Sequence, residues 1–250
     1  MTVRPAVTIV SLNLHSGLSA AGRPFDVADV LTKLDADLIA VQEAWWATDD
    51  GADPVAEAAQ ARGAQLLRAE LSTGRSLAEL NIAPRSERGT WGIAVLTRLP
   101  VLSHEILSLG RPDGELVGRA ALICSVTAPG GWPLRLACTH LSPRLNSPAQ
   151  LLRLTRHLTA TAGPTVIAGD LNMPRTATWM AAGYTPVLRG RTFPADRPRV
   201  QLDHLLAGPG LTCLSATVLP PVGSDHLPVT GRFAPAVKPR LAVTGGPGGE

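Results

Sequence analysis

The chain has 250 residues, 45% of them apolar and 17% charged, with 23 Lys plus Arg against 20 Asp plus Glu and a formal net charge of +3. That balance excludes an intrinsically disordered chain, and it falls short of the strongly basic character of a dedicated nucleic-acid-binding domain. A single domain of this length buries roughly three quarters of the surface its unfolded chain exposes. One folded unit is therefore expected over residues 1–233, followed by a flexible Pro- and Gly-rich tail over 234–250 that has little to bury.

The basic residues are almost all Arg, because Lys occurs only at Lys33 and Lys238. Arg suits bidentate contact with phosphate, although a general bias toward Ala, Gly, Pro and Arg accounts for its abundance equally well. Cys124, Cys138 and Cys213 are odd in number, lack the spacing of a zinc knuckle and sit in apolar runs, as small core residues do in a reducing interior. The start of the chain runs into an apolar segment, Ala6 to Leu12, without a basic leader, a long apolar stretch or a small-residue cleavage site. The expectation is a cytoplasmic protein with no transmembrane segment and no evident protein partner.

In chain order, runs rich in Val, Ile and Leu at Val7 to Leu12, Leu38 to Val41, Ile93 to Leu96, Ala120 to Val126, Leu134 to Cys138, Thr165 to Ala168, Leu202 to Leu206 and Leu227 to Phe233 predict strands. Phe25 and Asp26 precede Val27, Val30, Leu31 and Leu34, the pattern of a capped helix covering a sheet. A second helix begins at Ser147 and Pro148 and places Leu151, Leu154 and Leu158 on one side, with Arg153, Arg156 and His157 on a solvated face. Strands and helices alternate early, and several consecutive strands follow over Ile93 to Cys138. The mixture predicts an α+β fold of sheets covered by helices.

Polar residues capable of chemistry repeatedly stand where these strands leave the core. They are Asn13 in Ser-Leu-Asn-Leu-His, Glu43 in Ala-Val-Gln-Glu, His140 in Cys-Thr-His-Leu, Asp170 and Asn172 in Ala-Gly-Asp-Leu-Asn, Asp203 in Gln-Leu-Asp-His, and Asp225 and His226 in Gly-Ser-Asp-His-Leu-Pro-Val. A polar residue just after a strand is commonly a cap or turn former, so each site alone has a purely structural explanation. Together they fit phosphoester hydrolysis, which needs charge neutralisation, an activated water and stabilisation of the leaving oxygen. Glu43, Asp225 and the amide of Asn13 are hard oxygen donors suited to magnesium, with manganese as a substitute. Asp170 suits positioning or deprotonating a water, and Asn172 suits donation to a phosphate oxygen. His226 is the acid or base, oriented and raised in pKa by Asp203, and His140 is left to bind phosphate.

With these motifs in order, the chain resembles the endonuclease/exonuclease/phosphatase superfamily, which includes DNase I-like nucleases, over Asn13 to His226. The resemblance implies a four-layered α/β sandwich with two central, mostly antiparallel sheets and a site along one edge between them. It implies that Asn13 and Glu43 belong to the metal site, Asp225 is a second carboxylate on the metal side, and Asp170 and Asn172 act on water and phosphate. It also makes His140 a strand-end phosphate-binding or acid histidine and Asp203 with His226 a catalytic pair. The stretch Gly92 to Pro100 resembles the family's central strand and turn. His15 is a neighbour of the site and His204 a packed or rim histidine. A further acidic residue of the proton-transfer network is left unassigned between Glu79 and Glu87.

The expected activity is metal-dependent hydrolysis of a phosphoester, as a phosphodiesterase or nuclease, with a phosphatase of a small phosphate or lipid headgroup as the alternative. Arg-rich segments at Arg85 to Arg88 and Arg189 to Arg199 either border the substrate or are solvated loops. A dinuclear metallophosphatase is disfavoured because its paired Asp-x-His and Gly-Asn-His sequences are missing. An inactive binding module is disfavoured because the acid, base and ligand residues are all retained.

Overall fold

Strands buried on both faces read as continuous apolar runs, and such runs form the centre of the protein. The computed structural model describes residues 5–48, 51–73, 88–115, 117–143, 145–161 and 163–236. One six-stranded sheet has the order β11 (Leu211–Val218), β12 (Val229–Pro235), β1 (Val7–Asn13), β2 (Leu38–Ala47), β4 (Gly89–Thr97), β3 (Gln65–Thr73). The other has the order β5 (Val101–Gly110), β6 (Arg119–Thr127), β7 (Pro133–His140), β8 (Thr165–Asp170), β10 (Asp203–Ala207), β9 (Thr185–Pro186). Pairing is antiparallel except for β1 with β2 and β7 with β8, which run parallel.

The two sheets pack face to face. Val7, Ile9, Leu38 and Ala40 of the first meet Leu136, Cys138, Val166 and Leu205 of the second in one apolar cluster. On the outer face of the first sheet lie α1 (Val27–Lys33) and α2 (Pro54–Ala61), packing Leu31, Val55 and Ala58 against Leu12 and Ile39. On the outer face of the second lies α3 (Ser147–Ala160), whose Leu151, Leu154 and Leu158 meet Ile167 and Leu206. The result is the expected four-layered α+β sandwich. Asp26 caps α1 by accepting from Asp29 N–H at 2.9 Å, and Arg62 donates to the carbonyls of Leu31, Leu34 and Ala36, satisfying the open end of that helix. No helix among the described residues is long and apolar enough to cross a membrane.

Four strands, β3, β5, β9 and β11, were not expected from apolar runs, and all four lie at sheet edges. An edge strand keeps much of its surface in water, so its sequence mixes polar and apolar residues, as in Ser103, His104 and Glu105 of β5. The helix α2 was also missed, because its buried face is mostly Ala and shows no stripe of large residues. His157 is not simply solvated: its Nε2 lies 2.9 Å from Glu105 Oε1, tying α3 to β5. Cys124 and Cys138 are core residues, whereas Cys213 is only half-buried on β11. The first residues of the expected tail are ordered, since β12 runs to Pro235 and Ala236 N–H donates to Gly210 O at 2.8 Å; residues 237–250, with Glu79, Glu87 and Arg85, lie outside the described residues.

Side chains alternate between the two faces of a strand. Val7, Ile9, Ser11 and Asn13 therefore share the inner face of β1, as Leu136, Cys138 and His140 do on β7, Val166, Ala168 and Asp170 on β8, and Asp203, Leu205 and Ala207 on β10. At one end of the sandwich each inward row stops being apolar and presents a polar group. The parallel register His140↔Asp170 sets two of these groups side by side. Immediately before Asp170, Gly169 has φ +151°, and a Cβ added there would lie 1.9 Å from the Thr139 carbonyl oxygen.

Gly169→Ala should accordingly cost about 3 kcal/mol or more, combining overpacking and backbone strain of roughly 1–3 kcal/mol each. For a domain of this size that is a fall in Tm of about 6–12 °C. Urea and thermal melts read it directly, and an unchanged midpoint would show that β7 and β8 can part there freely.

Candidate active site

The polar ends of the inner rows converge on one atom. Asp170 Oδ2 accepts a hydrogen bond from Asn13 Nδ2 at 3.1 Å, and lies 3.6 Å from His140 Nε2 and 3.8 Å from His226 Nε2. Asn13 Nδ2 also donates to Glu43 Oε1 at 3.1 Å, while its Oδ1 accepts from His15 N–H at 2.9 Å. His226 Nδ1 lies 2.8 Å from Asp203 Oδ2, a buried pair, and the ring of Phe193 packs on His226 with centroids 4.7 Å apart. Asn172 donates its backbone N–H to Asp170 Oδ1 at 2.9 Å and its amide hydrogens toward His140 Nε2 and Leu141 O.

The backbone is bent to make this meeting possible. Among the described residues the non-glycine positions with positive φ are His15, Ser16, Glu43 and Asn172, all in or beside the site. At Glu43 the pairing of β2 with β4 shifts register between Val41 and Ala44, turning the carboxylate toward Asn13 instead of the outer helix layer. The loop before β12 is pinned to the end of β1 by Ser224, whose hydroxyl donates to Asn13 O at 2.7 Å and accepts from His226 N–H at 3.3 Å. That explains the serine of Ser-Asp-His.

Burial and neighbouring charge set unlike protonation states. Burial would push His226 down, but Asp203, Asp170 and Asp225 outweigh it and raise the imidazole to about 10, so it is an imidazolium at neutral pH. Burial, with Asp203 adding to it, raises Asp170 to about 7 against the pull of His226 and the Asn172 N–H. Burial, with Arg119 and His226 close by, holds His140 well below the usual histidine range. It is neutral, and its Nε2 accepts from Asn172. An acid form and a base form thus lie side by side in one small space.

Seven of the eight expected residues, Asn13, Glu43, His140, Asp170, Asn172, Asp203 and His226, form this connected cluster. Asp225 turns aside, its Oδ1 lying 3.5 Å from His15 Nδ1 and 3.4 Å from Ser224 Oγ. His204 points to the other face of β10, with Nε2 2.9 Å from Met173 O, and is a packed histidine.

Arg119 was not anticipated. It is 11% exposed, lies over Trp91 with its guanidinium carbon 5.8 Å from the ring, stands 3.6 Å from Glu115 Oε2 through Nε, and feels the charges of Glu115, Glu43 and Asp170. At the start of β6 it has the parity of Ala121 and Ile123, which face the outer helices, so alternation does not assign it inward. Its one sequence signal was a lone charge opening an apolar run. Trp91 also touches His140, at 5.7 Å between ring centroids, and forms a wall of the site. Arg119 Nε and Nη1, His140 Nδ1 and Asp203 Oδ1 are buried without hydrogen-bond partners among the described residues. So many unsatisfied groups in one place mark a site shaped for something it binds.

The carboxylates of the site differ in how well they suit a cation. Asp170, Asp203 and His226 bring ligand atoms within 4.8 Å of one another, but the hydrogen bond to Asp203 occupies the imidazole Nδ1 and both carboxylates are almost fully buried, which suits proton handling. The side chains of Glu43 and Asp225 are 22% and 14% exposed, and a magnesium ion, which keeps several waters, reaches such carboxylates more readily. The site also carries four carboxylates against one guanidinium and one imidazolium. That excess of negative charge fits a divalent cation.

Several solved structures share this architecture. An endonuclease/exonuclease/phosphatase from Beutenbergia cavernae superposes with a TM-score of 0.74 at 19% identity, covering 93% of this chain and 72% of that one. The human Nocturnin catalytic domain, with a bound sulfate anion, gives 0.69 at 17% identity, covering 94% and 97%. A mannosyl-6-phosphatase from Bacteroides thetaiotaomicron gives 0.69 at 12% identity, covering 91% and 99%. A search of curated proteins finds no match. The family model for the endonuclease/exonuclease/phosphatase family matches residues 10–226, from β1 to the histidine paired with Asp203, and the chain belongs to that family.

Proposed function

We propose that this protein hydrolyses phosphodiester bonds with the help of a divalent metal, magnesium by preference or manganese. The observation that carries the reading is the pairing of a carboxylate poised near neutrality, Asp170, with an imidazolium, His226, beside the buried guanidinium of Arg119, whose Nε stands 3.6 Å from Glu115 Oε2 and whose Nη1 has no hydrogen-bond partner among the described residues. An anionic phosphate meets both cations and brings its phosphorus next to the only strongly raised carboxylate among the described residues.

In this reading Arg119 and the Nε2–H of His226 hold the non-bridging oxygens of the phosphate and stabilise the charge that grows on them. Asp170 takes a proton from the attacking water as its oxygen bonds to phosphorus. Asn172, with both amide hydrogens engaged, offers its amide oxygen to that water. His226 lies beside Asp170, not across from it, and holds its proton tightly, so it serves as a charge stabiliser oriented by Asp203. Glu43, oriented by the Asn13 amide nitrogen, would hold the metal, and Asp225, which rests beside His15 and Ser224, would join it by turning its side chain; the metal when bound supplies Lewis-acid stabilisation of the leaving oxygen. Neutral His140 fixes Asn172 in place.

Bis-p-nitrophenyl phosphate and p-nitrophenyl phosphate, assayed with magnesium, manganese or EDTA, test the activity. Turnover of the diester should vanish in EDTA, fall about 10²–10⁴-fold in His226→Ala and about 10²–10³-fold in Arg119→Met, which keeps the apolar stem. Metal-independent turnover, or turnover of the monoester alone, would count against the reading.

The His226 charge state has its own test. A histidine raised above its unfolded value stabilises the fold fully below about 6.5, and that stability is lost as pH rises through about 10. In EDTA, the His226 ring should stay protonated at pH 8 by NMR, and unfolding free energy should decline from neutral to alkaline pH. Asp203→Asn should bring the ring's titration down by units and flatten that decline. A ring that titrates near 6.5 in the unaltered protein would remove the imidazolium from the mechanism.

A further inference from the structure

The segment between β9 and β10 is a hairpin. Phe193 bridges Val200, and the backbone bonds Thr192 N–H to Val200 O at 2.8 Å and Val200 N–H to Phe193 O at 3.0 Å close it. Its base is built into the active site at several points. Leu227 N–H donates to Thr192 O at 2.9 Å and Ala195 N–H to Asp225 O at 2.7 Å, so the hairpin is bonded to both sides of His226. The buried Thr192 hydroxyl accepts from the N–H groups of Leu202 and Asp203 at 3.1 and 3.2 Å. Phe193 covers one face of the His226 ring.

The rest of the hairpin faces water and is strongly basic. Arg189 and Arg191 lead into it and Arg197 and Arg199 lead out; all four are exposed, and Asp196 is the one acidic residue over 189–200. None of these four guanidinium groups has a hydrogen bond or ion pair among the described residues. Several other arginines of the fold are engaged: Arg62 and Arg135 on helix-end carbonyls, Arg68 on Asp53, Arg175 on Leu188 O and Pro186 O. Free guanidinium groups held on a rigid support beside a phosphate-cleaving centre are suited to bidentate contact with further phosphates.

We infer that the hairpin over residues 189–201 is an arm that binds phosphates of a nucleic-acid strand beyond the one being cleaved, an inference that rests on the phosphodiesterase reading above. A substrate with a single phosphate spends it between Arg119 and His226 and leaves the hairpin unused, whereas a nucleic-acid strand presents a phosphate at every nucleotide on either side of the scissile one. An anionic membrane is a poorer fit, because the exposed apolar side chain the hairpin has to insert is Val200 alone. Fixed to both the Asp203 and the Asp225–His226 backbones, the arm keeps the strand in register with the reacting groups.

The test compares the unaltered protein with the triple variant R191A/R197A/R199A. Binding of a fluorescein-labelled single-stranded thymidylate 12-mer is read by anisotropy in EDTA over a range of salt, and hydrolysis of bis-p-nitrophenyl phosphate and of the same 12-mer is read with magnesium. The variant should keep its Tm and its kcat/KM on the small diester, bind the 12-mer at least tenfold more weakly, and lower the slope of log K against log salt by about 2, at about 0.7 per lost phosphate contact. Equal binding and equal slope in the two proteins would overturn the inference. So would an unaltered protein that binds phosphatidylserine vesicles or inositol hexakisphosphate but not the 12-mer. Failure on every diester would strike the hydrolase reading instead, and the anisotropy in EDTA would still decide the role of the hairpin.

Discussion

A carboxylate removed from water must find compensation or take up a proton, and the fold arranges its centre around that demand at Asp170. The side chain is 3% exposed and lies where the two sheets meet. Its neighbours divide the compensation: Asn13 and the Asn172 N–H donate to it, His226 brings positive charge, and Asp203 opposes all three. The balance leaves Asp170 near neutrality. Any shift in the packing of one sheet on the other would upset it, since Asn13 comes from the first sheet and His140, Asp170 and Asp203 from the second.

The sandwich makes such a balance possible at little cost to its core. Strand alternation places apolar side chains along the inner rows until the last position, and there the rows end together because the strands are in register. The chemistry is therefore carried by regular elements, and among the described residues the non-glycine positions of positive φ lie at its edge: Glu43 at its bulge, Asn172 after β8, and His15 and Ser16 after β1. Gly169 serves the same end by letting β8 approach β7 closely enough to hold Asp170 beside His140.

Beyond this centre a network of side chains orders the surroundings of Arg119. Glu115 accepts from Ser142 Oγ at 2.6 Å and from Asn146 Nδ2 at 3.0 Å, and its carboxylate stands 3.6 Å from Arg119 Nε. Gln150 of α3 completes the set through Ser142. The loop after β7 and the start of β6 are thereby held together on one flank, as the arginine hairpin and the Asp225–His226 loop are on the other. The first flank leads to Arg119 and the second to His226.

The sequence determined the inner strands, the capped helix α1 and the identity of most of the site, because these follow from local rules: an apolar run bounded by a turn, an N-cap before a stripe, and a polar residue where an inward row reaches the rim. The edge strands β3, β5, β9 and β11 were not legible, since a half-wet strand has no run to read, and neither was α2, whose buried face is Ala. Arg119 escaped for a related reason: its parity on β6 points outward, and only the three-dimensional path of the side chain over Trp91 brings it back. Tertiary structure alone decided that Asp225 turns toward His15, that the hairpin is bonded to the backbone on both sides of His226, and that Asp170, His140 and His226 hold their protons differently. Those outcomes depend on burial and on charges brought together from positions far apart in the chain, and neither quantity exists until the two sheets have packed.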